Sequence, residues 1–87
     1  MKVKAYSSEC VGIIITGFHY YGEIVRFNKK SIRVKFDRFV KTYGSKTEID
    51  TVYNRTCNFA FWKTIVRDGK MIDIYKNTVL GIIEIPV

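Results

Sequence analysis

Gly22-Glu23-Ile24-Val25-Arg26-Phe27-Asn28-Lys29-Lys30-Ser31-Ile32-Arg33-Val34-Lys35-Phe36 is the stretch that decides the fold. Two runs mixing β-branched, aromatic and charged residues flank a tight loop, and the Asn28 side chain can bond the backbone two residues on. With Asn28 opposite Ser31, Phe27 falls opposite Ile32 and Val25 opposite Val34, so all four share one face, as a hairpin covering a core requires. The other face then carries Arg26 opposite Arg33 and Ile24 opposite Lys35. Turn chemistry and apolar pattern agree, which is what a real hairpin shows.

Outward from this hairpin the chain keeps a strand character. Runs rich in Val, Ile, Tyr, Phe and Thr occur at 3–6, 11–16, 22–27, 31–40, 59–67, 70–76 and 79–85, and the one proline is Pro86. Asp68-Gly69 between two apolar runs is a strong hairpin signal, because a type I′ turn needs positive φ at both central residues. Asn77-Thr78 marks a weaker turn. Residues 47–57 are where a short helical turn is expected. Eighty-seven residues allow one domain, 1–87, and the 47% hydrophobic and 15% aromatic content excludes a disordered chain. The expected fold is therefore all-β, a small barrel or sandwich of six to seven short antiparallel strands.

Gly17-Phe18-His19-Tyr20-Tyr21-Gly22-Glu23-Ile24-Val25, continuing through Asn28-Lys29-Lys30-Ser31 to Ile32-Arg33-Val34-Lys35-Phe36, resembles the opening of SH3-like small barrels, including the KOW type. The likeness covers residues 17–36. It departs from the KOW pattern in its aromatic loop and its strand-rich C-terminal half. The resemblance implies a binding module, in a family that includes both nucleic-acid binders and protein or peptide binders.

Charge is distributed unevenly. The net charge is +7, and the segment from Arg26 to Lys46 holds eight bases (Arg26, Lys29, Lys30, Arg33, Lys35, Arg38, Lys41 and Lys46) against the single acid Asp37. The remainder of the chain is electroneutral. A charge run is often no more than a solvated face, but surfaces made for solubility intersperse the two signs. Directly opposed arginines are also mildly unfavourable. A concentrated basic segment is the footprint expected for phosphate. Tyr20 and Tyr21 just before it and Tyr43 just after it could add base stacking. Phe27, Phe36, Phe59, Phe61 and Trp62 are expected in the core.

Catalytic constellations are missing from the sequence. His19 is the sole histidine and its carboxylate neighbours are scattered, so no poised acid–base pair is visible. Glu48-Ile49-Asp50 would put two acids on one strand face, the minimum for binding a divalent cation, but that spacing is common by chance. There is no phosphate-cradling glycine loop of the Gly-x-x-x-x-Gly-Lys-Ser/Thr kind. Cys10 and Cys57, without a Cys-x-x-Cys pair, are read as reduced, small hydrophobic residues, and no cofactor or metal is expected. The N-terminal segment lacks the apolar run of a signal peptide, and nothing approaches the roughly 20 apolar residues of a membrane span, so the expectation is a cytoplasmic protein that does not enter a membrane.

The leading expectation is a non-enzymatic nucleic-acid binder, DNA or RNA, using the 26–46 face. The alternative is a protein-interaction module, such as a small regulator or inhibitor of the kind mobile elements encode, offering a sheet edge to a partner strand or its basic face to an acidic protein. Either a monomer or a homodimer is compatible, since 79–87 carries only Glu84 as a charge and could pair between subunits.

Overall fold

Six strands follow in chain order: β1 (Lys2–Val11), β2 (Ile14–Asn28), β3 (Ser31–Tyr43), β4 (Thr47–Arg67), β5 (Lys70–Asn77) and β6 (Gly81–Pro86). They are seen in a computed structural model that describes the backbone of residues 1–11, 14–43 and 47–87 and the side chains of 1–7, 17–42 and 48–87. Each strand pairs antiparallel with the next, and β6 returns to β1 through Ala5 opposite Ile83 and Tyr6 opposite Ile82, closing the sheet into a barrel. The all-β expectation holds. Among the described residues no helix is long and apolar enough to cross a membrane.

Local chemistry sets the turns. Asp68 and Gly69 both take positive φ, 52° and 76°, as the type I′ turn requires, and place Arg67 opposite Lys70. Asn28 Oδ1 accepts from Lys30 N at 3.1 Å, and Asn77 Oδ1 accepts from Val79 N and Leu80 N at 2.9 and 3.0 Å. The expected helical turn at 47–57 is corrected: these residues open β4, whose 21 residues pair with β3 and then β5. Thr, Tyr and Ile in this stretch tolerate a pleated surface, and pairing along β3 decides the outcome over its polar composition.

Long strands curl into a barrel by means of bulges. Val25 on β2 and Asp37 on β3 are the extra residues of the β2–β3 ladder. Tyr53 and Asn54 on β4 stand against Asp37 alone, and Trp62 is the extra residue of β4 against β5. The bulge at Val25 corrects the hairpin register. Asn28 opposite Ser31, Phe27 opposite Ile32 and Arg26 opposite Arg33 stand as expected, but Ile24 then faces Val34 and Glu23 faces Lys35. Val25 is left exposed.

Ala5, Ile32, Val34, Phe36, Phe59, Tyr75, Leu80, Ile83 and Ile85 form the core, with Ile24, Tyr20, Tyr53 and Cys57 packed against it. No polar or charged residue is buried among the described ones. Phe36 and Phe59 are fully buried as expected. Phe27, Phe61 and Trp62 are not, being 59%, 41% and 50% exposed. The first two sit where the barrel ends, edge-on to Tyr75 with ring centroids 6.4 and 5.6 Å away. Trp62 follows Asn58 and Ala60 on the outer face of β4 and is the unpaired residue of its bulge. These three exposed rings and the β2–β3 hairpin lie at the same end of the molecule, since Lys30 O accepts from Phe61 N at 2.8 Å.

Candidate anion-binding face

The hairpin of β2 and β3 carries its bases in two groups with different fates. Near the turn, Arg26 and Arg33 are direct cross-strand partners and flank a shallow depression of about 420 Å³ with Asn28, Ser31, Ile32 and Asn58. Arg33 Nε donates to Asn58 Oδ1 at 3.1 Å, which fixes that guanidinium over β4. Lys29 and Lys30 form the tip. Their carbonyls are tied to Tyr75 Oη and Phe61 N, while both side chains stand in solvent. Lys35, exposed two residues along from Arg33, lies between Glu23 and Thr56 in register. Among the described residues no carboxylate comes within 4.0 Å of Arg26, Lys29, Lys30, Arg33 or Lys35.

Farther from the turn the bases are occupied. Arg38 Nε donates to both oxygens of Asp50, at 2.9 and 3.1 Å, and its guanidinium lies 5.0 Å from the Tyr21 ring centroid. The hydrogen bonds and charge of Asp50 push the Arg38 pKa up. Asp50 comes from β4, an acid that the sequence places outside the basic run. Lys41, half-buried, has its ammonium 5.3 Å from the Phe18 ring centroid. Tyr20 belongs to an aromatic cluster with Phe36, Phe39 and Tyr53, at centroid distances of 5.9, 4.9 and 5.2 Å. Burial raises its pKa. Tyr20 is thus packed, and Tyr21 is half-buried beneath Arg38. The side chain of Tyr43 and all of Lys46 lie outside the described residues.

What the sequence reading missed is on the neighbouring strands. Lys63 and Lys76 hold their ammonium groups 4.2 and 4.9 Å from the Trp62 ring centroid. Ser31 pairs with Ala60, and Ala60 with Lys76, so a row of outward positions runs from the hairpin to this tryptophan. The bases of the hairpin and those of β4 and β5 therefore share one side of the sheet. Two acids of that region are engaged: Asp73 accepts from Thr64 Oγ1 at 2.6 Å, and Glu84 is bound by Arg67 and Tyr6. The doublet Phe61-Trp62, which breaks the alternation, is the signal that could have marked the bulge.

Chemically, this face offers cationic donors and exposed rings. His19 lies between the rings of Tyr6 and Tyr21, at 6.4 and 6.5 Å, and burial lowers its pKa, with Lys4 adding to the effect. Among the described residues no three His, Cys, Asp or Glu side chains are grouped to hold a metal ion. Compared with family models, with curated proteins and with solved structures, the chain matches none.

Proposed function

We propose that this chain is a non-enzymatic nucleic-acid-binding protein that grips the phosphate backbone with the turn-proximal face of β2 and β3. The observation that carries the reading is the Arg26–Arg33 pair, direct cross-strand partners on the outer face, with Lys29, Lys30 and Lys35 on the same hairpin and, among the described residues, no carboxylate within 4.0 Å of any of the five. Bases held together against their mutual repulsion are suited to an anion with closely spaced charges. The depression between the two arginines adds side-chain amide and hydroxyl groups from Asn28, Asn58 and Ser31, which suit phosphate and sugar oxygens. The likeness of residues 17–36 to SH3-like small barrels supports a binding module without choosing between nucleic acid and peptide. Nothing in the arrangement favours base-specific readout, so the expected contacts are to the backbone.

The sheet-edge form of a protein-interaction module has less support, because β6 pairs with β1. Binding to single- and double-stranded DNA and RNA, titrated against salt, tests the proposal. Replacing Arg26, Arg33 and Lys35 together by alanine should weaken binding similarly across sequences and flatten the salt dependence by about one for each phosphate left without a cation. Unchanged affinity and slope would remove the reading. Retention by an acidic protein, with no nucleic acid retarded, would replace it with an interaction module.

A further inference from the structure

We propose that Trp62, with Lys63 and Lys76 over its ring, is a stacking platform for an unpaired base, and that the preferred ligand is therefore single-stranded nucleic acid. This rests on the nucleic-acid reading above and deepens it.

Trp62 is half exposed: it follows Asn58 and Ala60 on the outer face of β4 and is the unpaired residue of a bulge there. An exposed tryptophan in a chain of this size costs apolar surface that the core could have used. The two ammonium groups beside the ring are the second observation. A cation over an indole face is attracted to the ring, yet two cations on one indole repel each other, and a phosphate between or beside them relieves that repulsion. A nucleotide supplies both needs at once, its base for the ring and its phosphate for the lysines. Duplex bases are stacked on one another and inaccessible, so only an unpaired base can use the ring.

Register connects this platform to the phosphate-gripping hairpin. Arg33 is opposite Asn58, and Trp62 lies four residues farther along β4, roughly 13 Å away at about 3.3 Å per residue. A single strand can thus follow the outer face from the arginines past Ser31 and Ala60 to the tryptophan. Phe27 and Phe61, exposed at the barrel end near the Lys29-Lys30 turn, offer further apolar surface beside this route.

Trp62 is the only tryptophan, so its emission reports the site directly. Titration of the intact chain with a short oligothymidine should quench that emission saturably, while a duplex of the same length quenches it little. Trp62→Ala should lower single-strand affinity by about 5- to 150-fold, leaving duplex affinity and the salt slope nearly unchanged. Trp62→Phe keeps a ring in the bulge and should retain most of the affinity, which guards against a loss caused by misfolding. If Trp62→Ala weakens single strand and duplex alike, or neither, or if emission is indifferent to oligothymidine that binds, the stacking platform is overturned while the phosphate grip stands. If neither form of nucleic acid binds the unaltered chain, both proposals fall together.

Discussion

Arg26 and Arg33 face each other as direct partners across the β2–β3 hairpin, on the side of the sheet turned away from the core. Opposed like charges destabilise a hairpin slightly, so the pair weakens the fold it sits on. Replacing Arg26 with Glu turns repulsion into attraction. The thermal midpoint should rise by about 1–3 °C while affinity for oligonucleotides falls. Stability and binding moving in opposite directions is the expected outcome of thermal melts and binding isotherms run on the same variant. A face kept only for solvation would give the rise without the loss.

Phe27 and Phe59 test the barrel's ends against its middle. Phe59 is fully buried against Phe36, with ring centroids 5.9 Å apart, whereas Phe27 is mostly exposed at the mouth. Phe59→Ala should cost about 3–5 kcal/mol and Phe27→Ala less than about 1 kcal/mol in chemical denaturation. Equal costs would mean that the mouth is packed like the core.

The two phenylalanines also show what the sequence could and could not reveal. Alternation places Phe27 on the inward-facing set of positions, which was legible from residues 24–35, and Phe59 was expected in the core. Which inward positions lie under the barrel and which at its mouth depends on how β4 and β5 cross β3, which no local pattern records. The Asn28 loop and the Asp68-Gly69 turn were readable because their chemistry is contained in two to four adjacent residues. The bulge at Val25 was not, since its pattern fits an unbroken ladder equally well. For the site, the basic run itself was visible in composition. Asp50 reaches Arg38 only through the β3–β4 pairing, and Lys63 and Lys76, 13 positions apart in an electroneutral region, meet over Trp62 only because β4 and β5 are neighbours.

At the barrel's closing seam, Tyr6 on β1 donates its hydroxyl to Glu84 on β6, and Arg67 at the end of β4 grips the same carboxylate at 2.6 and 3.2 Å. The Arg67 and Tyr6 hydrogen bonds hold the Glu84 carboxyl below its ordinary value of 4.5. Burial, then the Glu84 bond and charge, pushes the Tyr6 hydroxyl up to about 12. The signs follow from linkage. The contribution of Glu84 is full above pH 4.5 and is lost as pH falls through its lowered value. That of Tyr6 is full below pH 10.0 and is lost as pH rises from there to about 12. Unfolding midpoints should therefore hold level between these limits with respect to the pair and fall on both sides. Glu84→Gln should flatten the acid limb and lower the pH at which Tyr6 ionises, read from phenolate absorbance. An unchanged acid limb in that variant would mean the carboxylate contributes nothing to closure.

Gly81 makes the same seam geometrically narrow. Its φ is +102°, a region that side chains strain to enter, and a Cβ there would lie 2.7 Å from the Tyr6 carbonyl carbon and closer still to its oxygen. Backbone atoms cannot swing aside as a lysine tip can, so β6 would have to move away from β1. Among the described residues the two strands are paired in register only at Ala5–Ile83 and Tyr6–Ile82, leaving little pairing to resist that movement. Gly81→Ala should cost at least about 2 kcal/mol from backbone strain and the clash together. Amide exchange should then show where the cost falls. Protection is expected to drop first in residues 81–86 and around Ala5 and Tyr6, with the β2–β3 hairpin the last to lose it. Exchange that rises uniformly over all six strands would mean that closure and hairpin open as one unit, and the phosphate-gripping face would then depend on the seam.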